Sequence, residues 1–369
     1  MDAQLKAIAA AFISGERLQN LTPLGRGNIN DTYLAVTDKR RFVLQRINAD
    51  VFGEPLVIMA NLEQLCRHLQ EKQATGHYGL IPPQLLTSRQ GLNYFQDENG
   101  HLWRASTYVE NSRTCKQIEN PSQAASLGRS LAHFHLALAD LETNLLRVPL
   151  PGFHHLPGYL QQYDRAQSVS QVTNNPDETY CRDIIKCYRP RGDLFEKGLK
   201  NGHFSTMLVH GDPKVENFLF DDRENNVVAI IDLDTTGPGL LNHDIGDCLR
   251  SASNPTDEAG ENIRLNLDRC EVIIRSYLDE AGTLIDRTTR DHIFDGFELI
   301  CFELGLRFFT DHLEGSHYFK TSDPLENLGR STTQFRLLEA VSAKEGKIRK
   351  MVEVQPRSPR LRNGPVSRA

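Results

Sequence analysis

The stretch LVHGDPKVENFLFDDRENNVVAIIDLDTTGPGLLNHDIGD, residues 208–247, decides the fold of this 369-residue chain. Asp212 follows a first apolar run in this stretch, and Asp232 follows a second apolar run at residues 227–231. Asn217 lies five residues after Asp212. Apolar runs of this length predict strands, and two neighbouring strands would present the three polar side chains together.

A carboxylate, an amide and a second carboxylate at this spacing suit metal-assisted phosphoryl transfer. Such transfer requires positioning of the reactants and neutralisation of charge on the phosphate oxygens. Asp212 is the candidate to orient and deprotonate the attacking hydroxyl group. Asp232 and Asn217 offer the oxygen ligands that Mg²⁺ prefers, and Asp234 is a weaker candidate for the same ion. Each motif alone is equally explained by a turn or a surface carboxylate, whereas the two together indicate a catalytic site.

The stretch resembles the hallmark of the aminoglycoside phosphotransferase and choline kinase superfamily, which is H-G-D-x-x-x-x-N followed by an apolar strand ending in Ile-Asp. HGDPKVEN and AIIDLD carry this resemblance. Three further segments resemble the N-acetylhexosamine 1-kinase branch: GRGNINDTY at 25–33, LQRINADVFGEP at 44–55 and ELGLRFFTDHLEGSHYFK at 303–320. The resemblance covers most of residues 20–340. It implies a phosphotransferase that uses ATP and Mg²⁺ and acts on a small molecule.

The resemblance implies an α+β fold, namely a bilobal, protein-kinase-like arrangement with a small β-rich N-lobe and a larger, mainly helical C-lobe. The apolar periodicity agrees, because strand patterns precede the middle of the chain and helical patterns follow it. A polar segment at 109–114 predicts the hinge between the lobes. The predicted boundaries are 1–112 for the nucleotide-binding lobe, 113–343 for the catalytic and acceptor-binding lobe, and 344–369 for a basic, disordered tail.

Composition agrees with such an enzyme and argues against several other classes. The chain is 39% hydrophobic and 24% charged, and its apolar runs are shorter than the roughly 20 residues of a membrane span. The N-terminus lacks the features of a signal peptide, so a cytoplasmic protein without a membrane partner is expected. The seven cysteines include no CxxC pair, which indicates neither a disulfide framework nor a zinc site. The chain outside the tail is acidic, so a nucleic-acid partner is not expected.

Candidate nucleotide-binding residues come from the predicted N-lobe. Gly25 and Gly27 lie in a turn between strands, where backbone amides can approach the phosphates because side chains are absent. Most kinases carry a lysine on the third strand, but this strand, FVLQRI, has Gln45 and Arg46 instead. Side chains alternate along a strand, so only one of the two faces the cleft.

Two more nucleotide-binding candidates and three supporting residues complete the predicted site. Glu63, on the helix predicted after the third strand, is a candidate partner of Gln45 or Arg46, or a solvent-exposed face residue. Tyr108 and Val109, beside the hinge, are expected to bind the nucleotide, with the choice between ATP and GTP left open. His210 is expected to support the catalytic loop. Asp244 of the DIGD motif either braces that loop, as the resemblance implies, or caps a helix.

The resemblance assigns recognition of the acceptor to Asn28, Arg307, Asp311 and Tyr318. In the N-acetylhexosamine 1-kinases a histidine is common at the position of Asn28, so this chain departs from their pattern. Arg307 and Asp311 are four residues apart on a predicted helix and would alternatively pair with each other on one helix face.

The resemblance implies transfer of the γ-phosphoryl group of ATP to a sugar, at the anomeric hydroxyl of an N-acetylhexosamine or a related sugar. An aminoglycoside, choline or another small alcohol is the alternative acceptor. A catalytically silent, nucleotide-binding scaffold is an alternative of a different class. The missing lysine favours the scaffold, whereas the intact Asp212, Asn217 and Asp232 oppose it. The sequence leaves the oligomeric state open.

Overall fold

The computed structural model describes four stretches of the chain, which are residues 3–25, 29–170, 174–254 and 263–353. Two of the predicted site residues, Gly27 and Asn28, lie outside the described residues. Most of the predicted tail, residues 354–369, also lies outside them.

The N-lobe is built around a five-stranded antiparallel sheet. Its elements are α1 (Ala3–Ala10), β1 (Leu18–Pro23), β2 (Asp31–Thr37), β3 (Arg41–Arg46), β4 (Phe95–Gln96) and β5 (Leu102–Thr107). The strand order is β1-β2-β3-β5-β4. In the register of β3 and β5, Gln45 lies directly opposite Arg104.

One face of this sheet is apolar, and the other faces the cleft. Phe42 and Leu44 from β3 pack with Trp103 and Ala105 from β5 and with the helix α1. Side chains alternate across a strand, so Gln45 and Arg104 project from the opposite face. This alternation decides which polar side chains of the N-lobe meet the catalytic segment.

The C-lobe is mainly helical. Its helices are α3 (Pro121–Leu138), α4 (Leu156–Val169), α5 (Pro176–Tyr188), α6 (Leu194–Lys200), α7 (Leu241–Ser253), α8 (Leu267–Ala281), α9 (Arg287–Asp291), α10 (Ile293–Leu313), α11 (Glu326–Ser342) and α12 (Glu345–Glu353). A further helix, α2 (Pro55–Ala74), follows β3 and buries one side in the core that continues into this lobe. The division confirms the predicted α+β, bilobal fold. Within the described residues, we find no helix long and apolar enough to span a membrane.

Two small antiparallel sheets present the catalytic segment in the C-lobe. One contains β6 (Ser112–Thr114), β8 (Phe218–Asp221) and β9 (Val227–Ile230), and the other contains β7 (Met207–Val209) and β10 (Gly237–Gly239). The apolar runs of the sequence thus form the predicted strands, β7 and β9. The chain leaves the N-lobe sheet at Thr107 and enters β6 at Ser112, beside the predicted boundary at residue 112.

Helix α10 is buried along most of its length and fixes the position of α7. A Cβ atom on Gly296 of α10 would lie 2.2 Å from the carbonyl oxygen of Asn242 in α7. Only glycine permits backbones to approach this closely. The close contact holds α7 in place, and α7 carries Asp244 to the catalytic segment.

The predicted tail is wrong in its first part. Residues Glu345–Glu353 form α12 rather than a disordered segment. Ile348, Met351 and Val352 are buried in the core of the C-lobe. These three apolar residues have helical spacing, so one face of the helix can pack against the core. The basic residues between them led to the prediction of a disordered tail.

Candidate active site

The catalytic loop follows β7 and is organised by a buried histidine. His210 is fully buried. Its Nε2 lies 3.0 Å from the carbonyl oxygen of Ile231, and its Nδ1 lies 3.2 Å from the backbone nitrogen of Asp212. The first contact requires a proton on Nε2, and the second requires Nδ1 to accept, so His210 is the Nε2–H tautomer. It joins the loop that carries Asp212 to the end of β9.

Asp244 braces the same loop from α7. Its carboxylate accepts hydrogen bonds from the backbone nitrogen of His210 at 2.7 Å, that of Gly211 at 2.9 Å, and His135 Nε2 at 2.9 Å. Burial alone would raise the pKa of Asp244, but these bonds and the nearby histidines hold it below its usual value. Helix α7 begins at Leu241, so Asp244 is not the N-cap, and the geometry favours bracing over capping.

Gly211 is required by the turn between His210 and Asp212. Its φ is +87°, in the left-handed region that favours glycine. A Cβ atom there would lie 2.9 Å from the carbonyl oxygen of Thr235. The loop therefore packs tightly against the turn that follows β9, and this contact brings Asp212 close to Asp232.

Asp212 is held by two neighbours in the loop. Lys214 Nζ lies 2.9 Å from its Oδ2. The side-chain nitrogen of Asn217 donates to the carbonyl oxygen of Asp212 at 2.7 Å and to Oδ2 at 3.2 Å. Burial alone would raise the pKa of Asp212, but the Lys214 ammonium group outweighs burial and lowers it. Asp212 is thus an ionised acceptor at neutral pH, suited to orient a hydroxyl group.

Asp232 occupies a strained turn directly after β9. Its backbone is left-handed, with φ 60° and ψ 55°, a conformation that costs free energy for a residue other than glycine and is concentrated at functional sites. Desolvation by the surrounding protein, together with the carboxylate of Asp234, raises the pKa of Asp232 to about 6. The residue is exposed, and its ionised carboxylate lacks sufficient positive charge beside it.

A divalent cation fits this deficit of positive charge. The side-chain nitrogen of Asn217 donates a hydrogen bond to Asp212, so Oδ1 is the atom of Asn217 that could bind a metal. The backbone nitrogen of Ile231 donates to the carbonyl oxygen of Asn217 at 2.9 Å, so Asn217 and Asp232 are close neighbours. Within the described residues, no three His, Cys, Asp or Glu side chains cluster in a way that could hold a metal ion. A cation held by Asp232 and Asn217 would need further oxygens from phosphate or water, as Mg²⁺ sites in kinases do.

Asp234 does not share this environment. Its Oδ2 accepts a hydrogen bond from Asn30 Nδ2 at 2.8 Å, and its Oδ1 forms an ion pair with Arg104. Both oxygens are thus engaged by the N-lobe, contrary to the predicted role of Asp234 as a second metal ligand. Asp232 and Asn217 stay the predicted metal-binding residues.

Gln45 and Arg46 point in different directions. The Oε1 of Gln45 accepts hydrogen bonds from Arg104 Nε at 3.1 Å and Arg104 Nη2 at 2.9 Å, on the cleft side of the sheet. Arg46 Nε instead donates to Asp31 at 2.9 Å. Gln45 is therefore the residue that takes the inward position on the third strand. The predicted partnership of Glu63 with either side chain is wrong, because Glu63 is exposed and accepts a hydrogen bond from the Asn93 side chain at 3.1 Å.

The remaining nucleotide candidates lie in the turn after β1 and in the segment between β5 and β6. Gly25 has φ +73°, as expected of a tight turn. The guanidinium group of Arg41 covers the Tyr108 ring, 4.4 Å from its centroid. The carbonyl oxygen of Val109 accepts a hydrogen bond from Ser112 Oγ at 2.7 Å. The nucleotide-binding roles of these residues stay predictions.

Arg307 lies in an aromatic enclosure on the acceptor side. The rings of Phe153, Tyr159, Tyr318 and Phe319 surround it, with centroids 5.3, 5.0, 5.6 and 5.5 Å from its guanidinium carbon. Its side chain is 13% exposed and approaches Glu303 at 3.9 Å, so the alternative pairing with Asp311 is not observed. Burial alone would lower the pKa of Arg307, but Tyr159, Tyr318, Glu303 and Asp212 outweigh burial and raise it. Glu303 also contacts His154, which in turn contacts the carbonyl oxygen of Gly211 next to Asp212, so Arg307 lies on the side of the cleft that carries the catalytic loop.

Asp311 folds the loop that carries Tyr318. Its carboxylate accepts hydrogen bonds from the backbone nitrogens of His317, Tyr318 and Phe319 at 2.9, 2.8 and 3.0 Å, and from Asn327 Nδ2 at 2.8 Å. Asp311 is also buried. These four bonds occupy the carboxylate, so the geometry favours a loop-bracing role for Asp311 over the predicted contact with the acceptor.

The sequence interpretation missed His154, which connects Arg307's surroundings to the catalytic loop. His154 Nδ1 lies 3.0 Å from Glu303 Oε1, and Nε2 lies 2.7 Å from the carbonyl oxygen of Gly211. Burial alone would lower the pKa of His154, but Glu303 raises it to about 9. His154 is therefore a cation at neutral pH. The segment FHHLPGY at 153–159 is a weak sequence signal for it, because histidines are common in loops and most of them have no catalytic role.

Arg104, Asn30 and Lys214 were also missed. Lys214 has a sequence signal, because it lies within the HGDPKVEN motif two residues after Asp212. Arg104 has a weaker signal, since it interrupts an apolar strand between Trp103 and Ala105. Asn30 has no distinguishing signal, because its partner Asp234 lies 204 residues away.

Comparison with known proteins gives a consistent family. The sequence model of the phosphotransferase enzyme family matches residues 20–269. The structure is similar to that of a microcompartment-associated aminopropanol kinase, with a TM-score of 0.63 and 16% identity over 92% of this chain and 97% of the other.

Two phosphotransferases that are named for their antibiotic substrates are similar too. For an aminoglycoside phosphotransferase from Alicyclobacillus acidocaldarius the TM-score is 0.60 at 16% identity, covering 94% of this chain and 96% of the other. For a spectinomycin phosphotransferase in complex with ADP and spectinomycin the TM-score is 0.59 at 14% identity, covering 92% and 98%. At these identities the likeness to the solved structures establishes the fold alone.

Proposed function

This chain belongs to the phosphotransferase enzyme family, and we propose that it transfers the γ-phosphoryl group of ATP to a hydroxyl group of a neutral sugar. Membership confirms the superfamily predicted from HGDPKVEN and AIIDLD. The observation that carries the choice of acceptor is the cationic and aromatic surface beside Asp212. Arg307 and the protonated His154 both lie on that side of the cleft.

The charge of this surface discriminates between classes of acceptor. Amino alcohols and aminoglycosides are cations at neutral pH, and recognition of a cation needs unpaired carboxylates or open aromatic faces. Glu303 is shared between His154 and Arg307, so its charge is already compensated. Arg307 already lies over the aromatic rings, and its charge would repel a cation that approached the exposed part of Tyr318. A neutral acceptor avoids repulsion from Arg307, and its hydroxyl oxygens can accept hydrogen bonds from the guanidinium group.

The aromatic rings add a second recognition element. Tyr318 is 36% exposed, unlike the buried Phe319 beside it, so its ring is accessible to a ligand in the cleft. The apolar face of a sugar ring can pack on such an aromatic ring while its hydroxyl groups meet Arg307. Asp311 holds Tyr318 in place through the backbone.

The catalytic residues then have separate tasks. Asp212 accepts a hydrogen bond from the sugar hydroxyl group and orients its oxygen for attack, with Lys214 keeping the carboxylate ionised. Asp232 and Asn217 would hold Mg²⁺, which supplies positive charge to the phosphate oxygens when bound. Asp244 and His210 keep the loop in the shape that presents Asp212. Gly25, Tyr108 and Val109 are proposed to contact the nucleotide, and the ADP complex of the spectinomycin phosphotransferase supports use of an adenine nucleotide in this fold.

The finer proposal is the anomeric hydroxyl group of an N-acetylhexosamine. It rests on the resemblance of residues 25–33, 44–55 and 303–320 to the N-acetylhexosamine 1-kinases. An amino alcohol or aminoglycoside remains the alternative acceptor, as the names of the similar structures suggest. The assembled cluster of Asp212, Asn217 and Asp232 weighs against a catalytically silent scaffold, because a binding scaffold does not need an oriented base.

A panel of acceptors tests the proposal. The purified protein would be incubated with Mg²⁺ and either ATP or GTP, together with single acceptors: free hexoses, N-acetylhexosamines, ethanolamine, 1-amino-2-propanol, choline and an aminoglycoside. Phosphorylated products would be identified by mass spectrometry and ³¹P NMR. We expect a free sugar to be phosphorylated and its methyl glycoside, which has a blocked anomeric oxygen, to be inert. The Asp212→Asn variant is the matched control for contaminating kinases.

Each outcome of the panel has a distinct meaning. Phosphorylation of both the free sugar and its methyl glycoside would keep the sugar and reject the anomeric position. Phosphorylation of amino alcohols alone would overturn the argument from the cationic surface. Absence of any product, with intact nucleotide binding, would favour the scaffold.

A further inference from the structure

The buried positive charge on the cleft side of the N-lobe sheet lies on β5 rather than on β3. The inward position of β3 is occupied by the neutral Gln45, whose partner across the sheet is Arg104 on β5. The guanidinium group of Arg104 lies against the Oε1 of Gln45 through two nitrogens. A lysine on β3 and an arginine on β5 would therefore place positive charge in the same region of the cleft.

Arg104 reaches across the cleft to the turn that carries Asp232. It forms an ion pair with Asp234, and the side chains of Arg104 and Asp234 are only 6% and 2% exposed. Asn30, at the end of the Gly-rich turn and before β2, donates to the other oxygen of Asp234. The backbone nitrogen of Asn48 in turn donates to Asn30 Oδ1 at 3.0 Å. Two separate parts of the N-lobe are thus fixed to one carboxylate of the C-lobe.

We infer that Arg104 is a positioning residue that replaces the third-strand lysine, and that Asp234 is its ion-pair partner rather than a metal ligand. Through Asp234, Arg104 holds the turn of Leu233–Thr235, and with it the metal-binding Asp232, at a fixed distance from the nucleotide-binding sheet. This inference rests on the proposed phosphoryl-transfer site but is independent of the acceptor.

The chemistry of the pair favours this role over simple stabilisation. A buried ion pair contributes little net stability compared with apolar packing, because desolvation of both charges offsets their attraction. Its value lies in fixing one geometry. Arginine suits this task because its planar donors bind two partners at once, here Gln45 and Asp234. Phosphoryl transfer depends on such positioning of the nucleotide and its metal.

The test measures nucleotide binding without any acceptor. Isothermal titration calorimetry with ATP and Mg²⁺ would compare the wild type with Arg104→Met and Arg104→Lys. We expect Arg104→Met to weaken Mg·ATP binding on the order of tenfold or more, since it removes charged hydrogen bonds that position the metal turn. Arg104→Lys keeps the charge but loses the forked contact, so we expect an intermediate affinity. Arg104→Met that folds and binds Mg·ATP with wild-type affinity would overturn the inference.

A second variant moves the charge back to the third strand. In the double variant Gln45→Lys/Arg104→Met, the introduced amine lies directly opposite residue 104, on the same face of the sheet. Recovery of Mg·ATP affinity would support the inference. Recovery of the melting temperature without recovery of affinity would show that a third-strand lysine cannot take the place of Arg104 in nucleotide binding, and would overturn the inference.

Two further variants guard against misfolding and nonspecific effects. Arg104→Met/Asp234→Asn removes both charges, so no unpaired charge is buried if Arg104→Met alone fails to fold. We expect this double variant to fold and to bind Mg·ATP weakly, and wild-type affinity would again overturn the inference. Arg40→Met is the matched control, because Arg40 pairs with Glu16 at 3.0 Å next to the same sheet but away from the cleft. Failure to phosphorylate a sugar would reject the proposed acceptor and leave these binding results unaffected.

Discussion

Replacement of Arg307 by methionine is the most direct test of the acceptor site. Methionine keeps the unbranched apolar stem among the aromatic rings and removes the donors. In the structure, Arg307 Nη2 lies 3.4 Å from the Tyr318 hydroxyl group, and Nη1 lies 3.9 Å from Glu303. Both contacts are long for hydrogen bonds, so the donors are available to a ligand.

The magnitude follows from these contacts. A hydrogen bond from a charged donor contributes about 1.5–3 kcal/mol, and about 1.4 kcal/mol changes an equilibrium constant tenfold. We therefore expect Arg307→Met to raise the KM for the sugar by roughly 10- to 100-fold, with the KM for ATP nearly unchanged. Initial rates at saturating ATP with varied sugar, and the reverse, separate the two constants.

Arg182→Met is a matched control for Arg307→Met. Arg182 also pairs with a glutamate four residues before it, Glu178, at 3.0 Å. It also lies over an aromatic ring, that of Phe309, at 5.4 Å. Each variant removes a pairing with a glutamate and an aromatic contact, but Arg307 is the one of the two that is linked, through Glu303 and His154, to the catalytic loop. If both variants lower the melting temperature equally and neither changes the KM for the sugar, the assignment of Arg307 to the acceptor is refuted.

Three further predictions concern the catalytic loop. Asp212→Asn should lower kcat by roughly 10²–10⁴-fold with unchanged Mg·ATP affinity by calorimetry; retention of most activity would remove Asp212 from the mechanism. Asp232 has a folded-state pKa of about 6, above its unfolded value, so its ionisation costs stability as the pH rises through 6. The metal-free Asp232→Asn variant should therefore have a higher melting temperature than the wild type at pH 7, and it should lose Mg²⁺-dependent ATP binding. An unchanged or lower melting temperature would contradict this. His154 has a folded-state pKa of about 9, so the stability it contributes is full below about pH 6.5 and is lost as the pH rises through 9. Chemical denaturation should show that the difference in free energy of unfolding between the wild type and His154→Gln shrinks across this pH range. A difference that stays constant with pH would count against the His154–Glu303 pair.

The sequence predicted the local part of the site because its elements are neighbours in the chain. Asp212, Asn217 and Asp232 are presented by strands that are joined by short connections, so a motif of a few residues contains most of the geometry. The resemblance extended this to the lobes and to Arg307. The strand alternation also limited the inward residue of β3 to Gln45 or Arg46, and only the buried face of the sheet decided between them.

The interactions that were not predicted join distant parts of the chain. Arg104 and Gln45 are 59 residues apart, and His154 and Glu303 are 149 residues apart. Their partners depend on strand register and helix packing, which a single sequence does not reveal. Asp311 illustrates the same limit, because its spacing from Arg307 suits an ion pair, yet the backbone nitrogens of residues 317–319 take its carboxylate. Satisfaction of buried backbone donors prevailed over a pairing that would have been partly exposed.

Two ion pairs that cross the cleft differ in solvent exposure and therefore in the free energy that their loss would cost. Lys320, next to the loop that Asp311 organises, reaches Asp31 of β2 at 3.0 Å, but its side chain is 51% exposed. An exposed pair of this kind contributes about 0–1 kcal/mol and is screened by salt. The pair of Arg104 and Asp234 is shielded from solvent; the intact pair adds little net stability, but separation or loss of one partner leaves a buried charge and costs about 3–5 kcal/mol. We therefore expect Asp234 to fix the position of the turn at residues 233–235 relative to the N-lobe sheet, and we expect the exposed contact between Lys320 and Asp31 to contribute little.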